Sequence, residues 1–284
     1  MIIRPQDREK SFKQLRNGGL AKKGLSTGFV DLDEHIKLAK GYMAIISGYP
    51  GCGKSEALDA ILVNMSLLHE WKVLYYSPEN HPVEQHMSKI SEKFIGKHIT
   101  EFSNVDFDDA LHYMSKYFTW MYPDSPKLDT LLNLATEHAE TNGLDCLVID
   151  PWNAVSHNHS GQMIHEYLSE ALSKVIKFAR DKNVLSAIIA HPTKPLREKD
   201  GSFPVPDLYS ISDGAHWRNK CDLGIIFHRP DMSKNEIQMY IQKIKYKWMG
   251  KLGMVELDYN WRNGRFKGKN DKEFLLPTET EAAF

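Results

Sequence analysis

Eight residues, GYPGCGKS from Gly48 to Ser55, carry the clearest chemistry in the chain: glycine, four residues, glycine, lysine, serine. That spacing suits a loop that closes around phosphate oxygens, because residues without a Cβ let backbone N–H groups come within bonding distance of an anion. Gly48, Gly51, Cys52 and Gly53 would form the cradle, Lys54 would reach the β and γ phosphates, and Ser55 would hold Mg²⁺. The expected ligands are ATP, or another nucleoside triphosphate, and its magnesium ion.

Hydrolysis needs two more groups, a second magnesium ligand and a base that orients the attacking water. Asp150 closes the apolar run CLVID, where a carboxylate at the carboxyl end of a buried strand faces the metal. Glu79, at the end of KVLYYSPE, is the candidate base; its alternative reading is an ordinary loop carboxylate. His157, Asn158 and His159 raise the question of a further metal, but no Cys or His set at zinc spacing accompanies them, and a polar loop is the better reading.

These residues have to be positioned by strands and helices, and the pattern supplies both. Between residues 43 and 190, short β-branched apolar runs (MAIISG, KVLYYS, YFTWMY, CLVID, VLSAIIA) alternate with helical stretches at 54–70, 82–95, 127–141 and 162–182. Such alternation predicts an α/β fold with a doubly wound, mostly parallel sheet. After Asp222, LGIIFHR, EIQMYIQKIKY, GMVELDYN and GRFKG follow one another closely, which predicts a C-terminal extension of antiparallel hairpins. The phosphate loop then falls in a strand-to-helix turn, where its chemistry needs it.

Composition sets the outer bounds. In 284 residues, 42% hydrophobic and 26% charged, nothing resembles a disordered chain or an 18-residue apolar span, so a cytoplasmic or nucleoid-associated globular protein is expected. A net charge of -1 gives no global attraction for nucleic acid, which leaves local patches to do any such work. Cys52, Cys146 and Cys221 are odd in number and far apart, which argues against a disulfide framework. The division expected is a polar leader helix over 1–22, one ATPase domain over 23–268 and a polar tail over 269–284.

Taken in order, LSTGFVDLDEHI, the phosphate loop, YYSPENHP, LVIDPWN, IIAHPTKP and ISDGAHWRNKCDLGIIFHR resemble the ring-forming replicative helicases of RecA fold, the family of Twinkle, the bacteriophage primase-helicases and, more distantly, DnaB. The resemblance runs from about Leu25 to Arg265. It implies a RecA-like P-loop NTPase that assembles as a ring, a hexamer in this family, and unwinds forked duplex while moving on single-stranded DNA, with primase and polymerase as partners. Lys54 and Ser55 then serve as phosphate and metal ligands, Glu79 as base, Asp150 as second metal carboxylate, and His191 as the sensor of the γ-phosphate. Within the long polar segment after His191, Lys194, Arg197 and Lys199 form a cluster suited to phosphate backbones, and the matching loop of the family grips DNA. A second candidate loop is NAVSHNHSGQ, after Asp150. The segment RPQDREKSFKQL resembles the linker helix that docks on an adjacent subunit, and a mitochondrial setting would follow from the Twinkle branch.

One departure stands out. The family completes each site with an arginine from the neighbouring subunit, whereas in YIQKIKYKWMGKLG the candidates are Lys243, Lys245 and Lys247, none of them arginine, and lysine lacks the guanidinium fork. Arg229 and Arg218 are the arginine substitutes to consider. The alternatives to a helicase are a RecA-like ATPase that coats single-stranded DNA in recombination, and a slow nucleotide-binding loader or regulator. The primase domain that usually precedes the helicase is not among these residues.

Overall fold

The computed structural model describes residues 3–16, 24–157, 163–193, 203–212 and 214–271. In chain order the helices are α1 (Glu9–Arg16), α2 (Val30–Asp33), α3 (Lys54–His69), α4 (Val83–Ile95), α5 (Asn104–Tyr117), α6 (Leu128–Thr141), α7 (Ile164–Lys182) and α8 (Gly214–Lys220). The strands are β1 (Met43–Gly48), β2 (Val73–Tyr76), β3 (Phe118–Trp120), β4 (Cys146–Ile149), β5 (Leu185–Ala190), β6 (Leu223–His228), β7 (Glu236–Ile244), β8 (Gly253–Asn260) and β9 (Arg265–Gly268). They make one nine-stranded sheet in the order β3-β2-β4-β5-β1-β6-β7-β8-β9.

Strand β1 shows why the fold is doubly wound. Successive side chains of a strand point to opposite faces, so Ala44 and Ile46 join one core while Met43 and Ile45 join the other. The first core also takes residues of α3, α4 and α5, and the second those of α6, α7 and α8. Strands covered on both faces read as continuous apolar runs, and β1, β2, β4, β5 and β6 are buried along their whole length.

Strand β6 pairs parallel to β1 and antiparallel to β7, and the hairpins β6-β7, β7-β8 and β8-β9 extend the sheet as the close-spaced runs predict. The expected helices at 54–70, 82–95, 127–141 and 162–182 match α3, α4, α6 and α7 closely. Helix α5 is absent from the sequence reading. Its signals were present: Ser103 caps the helix and Asp106 returns the bond, while Ala110, Tyr113, Met114 and Tyr117 bury one helical face.

The motif LSTGFVDLDEHI acts as a brace. The Asp33 carboxylate accepts from the Thr27 backbone N–H at 2.7 Å and its hydroxyl at 2.8 Å, and Asn64 of α3 donates to the Thr27 carbonyl at 3.1 Å. The phosphate-loop helix is thereby fastened to the residues that precede β1.

Candidate nucleotide site

Four groups from four strand ends meet in one pocket. The phosphate loop follows β1, Glu79 follows β2, Asp150 follows β4 and His191 follows β5, all at the carboxyl edge of the parallel sheet. A cavity of about 420 Å³ there is lined by Gly51, Gly53, Lys54, Ser55, Glu79, Asp150 and His191. Glu56, Asn80, Lys89, Arg229 and Tyr259 complete its walls.

The loop conformation depends on its glycines, Gly48, Gly51 and Gly53, which all have positive φ. Gly53 sits at φ +85° as the residue before α3, a left-handed geometry that side chains rarely adopt. At Gly48 a Cβ would run into the Phe227 carbonyl and the Cys52 sulfur. Gly48 and Cys52 therefore stand behind the loop. Burial pushes the Cys52 thiol up, although Lys54 opposes the shift, and a buried neutral thiol does no nucleophilic chemistry.

Asp150 is 6% exposed, and burial pushes its pKa up to about 6. A hydrogen bond from Ser55 and the charge of Lys54 oppose the shift, while Asp59 and Glu79 reinforce it. A hydroxyl beside a carboxylate is an oxygen donor set suited to a hard divalent cation. With a folded pKa above the unfolded one, the protonated carboxyl favours folding; that contribution is complete below about pH 4 and is lost as pH rises through about 6. Asp150→Asn, which has no charge to bury, should therefore melt higher than wild type above pH 6 without metal, by up to roughly 2–3 kcal/mol. The gap should close toward pH 4, and a calorimetric pH series reads it directly.

Glu79 is largely exposed, and its carboxylate lies 3.9 Å from His191 Nε2. Burial, and then Lys54, hold the His191 ring below its ordinary pKa, with Glu79 pulling the other way. Its Nδ1 is buried and has no hydrogen-bond partner among the described residues.

The trans candidates divide. Arg229, at the carboxyl end of β6, lines the pocket of its own chain and donates through Nε to the Lys234 carbonyl at 2.8 Å. Lys243, Lys245 and Lys247 gather at the far end of β7, where Ile244 pairs with Leu223 at the amino end of β6. Lys245 pairs with buried Asp222 at 2.9 Å, and Lys243 donates to the Arg218 and Asn219 carbonyls, the latter at 3.0 Å. Lys247 is exposed. Arg218 lies over the Tyr209 ring, 5.1 Å from its centroid.

Lys194, Arg197 and Lys199 fall outside the described residues, as do Asn158 and His159. His157 is held by the Tyr167 hydroxyl at 3.0 Å and the Trp152 carbonyl at 3.1 Å. Sequence reasoning missed Lys89, Tyr259 and Glu56 as pocket residues. Lys89 and Tyr259 come from α4 and β8, distant in sequence, and only Glu56, directly after Ser55, had a positional signal.

The fold and its motifs have close counterparts. A chloroplastic/mitochondrial Twinkle homologue of Arabidopsis thaliana is 33% identical over 264 residues, covering 86% of this chain and 36% of that protein. A probable plasmid replicative DNA helicase of Chlamydia psittaci is 22% identical, covering 78% of this chain and 50% of its own length. The chain thus spans about a third to a half of these relatives. Among solved structures, an ATPase domain superposes with a TM-score of 0.75 at 16% identity, covering 94% of this chain and 99% of that one. A DnaB-like replicative helicase, described with its interactions with primase, gives 0.74 at 16% identity over 94% of this chain and 67% of that one. The family model for the DnaB-like helicase C-terminal domain matches residues 24–268, nearly the whole described fold, and this chain belongs to that family.

Proposed function

We propose that this chain is the ATP-driven motor of a replicative DNA helicase. The observation that carries the reading is the convergence of Lys54, Ser55, Glu79, Asp150 and His191 on one cavity at the carboxyl ends of four parallel strands. Lys54 and the loop N–H groups hold the phosphates. Ser55 and Asp150 hold Mg²⁺, which when bound neutralises charge on the β and γ phosphates. Glu79 accepts a proton from the attacking water, and His191, beside Glu79, senses the γ-phosphate. Arg229 and Tyr259 wall the same pocket and contact the rest of the nucleotide in cis.

Because the lysines at 243, 245 and 247 lie at the opposite edge of the sheet from the phosphate loop, they reach a nucleotide only across an interface between copies. A ring supplies that interface, and α1, with Phe12 72% exposed, is a helix in need of a partner surface. The basic segment at 194–199 grips single-stranded DNA by its backbone, which makes movement sequence-tolerant and salt-sensitive. Forked duplex, primase and a polymerase are the partners of such a motor, in a cytoplasm or an organelle. Among the described residues no helix is long and apolar enough to cross a membrane.

One observation favours a second reading. Lys243 and Lys245 are engaged within their own chain, and the stretch from Tyr240 to Gly253 contains no arginine. A site without a strong trans charge hydrolyses slowly, as a loader or regulator would. ATP turnover with and without single-stranded DNA, alongside unwinding of a forked duplex, separates the two. Strong stimulation with unwinding is the expected result; slow turnover indifferent to DNA would reject the motor.

A further inference from the structure

The loop that carries Glu79 is fastened by a side chain with no part in the chemistry above. Lys89, on the second turn of α4, donates from Nζ to Asn80 Oδ1 at 3.0 Å and pairs with Glu56 Oε1 at 2.9 Å. Asn80 is the residue after Glu79, and Glu56 is the residue after Ser55. Asn80 in turn donates from Nδ2 to Ser77 Oγ at 2.8 Å, closing the turn around the proposed base. One turn further along α4, Lys93 takes the other Glu56 oxygen at 2.6 Å, so the carboxylate is fixed at both ends.

We propose that Lys89 is the positioning residue of the catalytic loop. Its ammonium ties the segment beside the base to the segment beside the metal-holding serine, so that Glu79 and the phosphate loop keep one spacing. The inference rests on Glu79 being the base. Two features set Lys89 apart from a surface ion pair. Lys93, 1% exposed at its side chain, already neutralises Glu56, so the second lysine is not needed for charge balance. An ammonium has three donors, and Lys89 directs them to two separate segments of the pocket it lines, the loop after β2 and the first turn of α3. Glu79 has only the His191 contact at 3.9 Å among the described residues, which leaves its place to be set by its neighbours. Small displacements of a general base lower turnover steeply without weakening binding.

The test uses the full chain with Lys89→Met, Lys89→Arg, Asn80→Ala and the Met/Ala double variant. Three readouts are taken: hydrogen–deuterium exchange of residues 77–82 without nucleotide, kcat and KM for ATP, and the Kd of a fluorescent ATP analogue. Lys89→Met and Asn80→Ala should each speed exchange of that segment and lower kcat about tenfold, with Kd within about twofold. The double variant should fall well short of the product of the two single losses, because both remove the shared Lys89–Asn80 tie. Lys89→Arg should keep most of the rate. Unchanged exchange in Lys89→Met would overturn the proposal, as would a tenfold weaker Kd at unchanged kcat, which would make the ammonium a phosphate ligand. If Glu79→Gln turns over as fast as wild type, the base assignment itself fails, and the exchange arm still decides whether Lys89 holds the loop.

Discussion

Glu79→Gln should lower ATP hydrolysis by roughly 10²–10⁴-fold while leaving nucleotide affinity within about twofold. The substitution keeps the shape and removes only the ability to take a proton. Glu79 stands at the pocket wall, opposite the phosphate loop, and the charge that binds phosphate comes from Lys54 and the loop N–H groups, not from this carboxylate. Loss of a nearby anion should, if anything, favour a polyphosphate. Turnover assays paired with equilibrium binding of a fluorescent ATP analogue read the two effects separately. A variant that hydrolyses at the wild-type rate would remove Glu79 from the mechanism, and one that fails to bind would show that it positions nucleotide instead. Unwinding of a forked duplex should vanish with hydrolysis, since movement along a strand needs repeated turnover.

The largest stability effect is expected in the first turn of α3, at Glu56→Gln, which should destabilise the fold by about 3 kcal/mol. Lys93 is buried against Glu56 at 2.6 Å, and a buried cation stripped of its partner keeps its full desolvation cost. Burial is the largest influence on the Glu56 carboxyl and pushes it up, but the charges of Lys93 and Lys89 and the Lys93 hydrogen bond together outweigh it, and the net pKa lies below the ordinary value. A carboxylate with a depressed pKa contributes stability above its unfolded value and loses it as pH falls. The melting gap between variant and wild type should therefore be full at pH 7 and narrow below about pH 4.5. For a chain of this size that gap is roughly 6–12 °C. Adding Lys93→Met should recover much of it, because the cation left unpaired is then gone. A single variant as stable as wild type would mean that solvent reaches Lys93 and that the pair is not a structural link between α3 and α4. Asp150→Asn runs the other way: at Glu56 the lysine charges outweigh burial, whereas at Asp150 burial outweighs Ser55 and Lys54.

Much of this was legible in the chain itself. The phosphate loop, Asp150 and the alternation of strands and helices come from local spacing and apolar periodicity, and local rules decide them because a strand buried on both faces or a left-handed turn admits few residue types. Helix α5 is equally legible through its Ser103–Asp106 cap. Glu79 and His191 could be named from motif order, but nothing in the sequence puts them 3.9 Å apart; that follows from β2 and β5 each lying beside β4, which no local pattern encodes. The place of Arg229 was likewise beyond the sequence. A strand end can face its own pocket or a neighbour, and only the parallel pairing of β6 with β1 points it inward, while the antiparallel return of β7 carries Lys243, Lys245 and Lys247 to the opposite edge. The ties between Glu56, Lys89, Lys93 and Asn80 were decided by tertiary structure alone, because they join helices whose contact depends on how α3 and α4 pack on one face of the sheet.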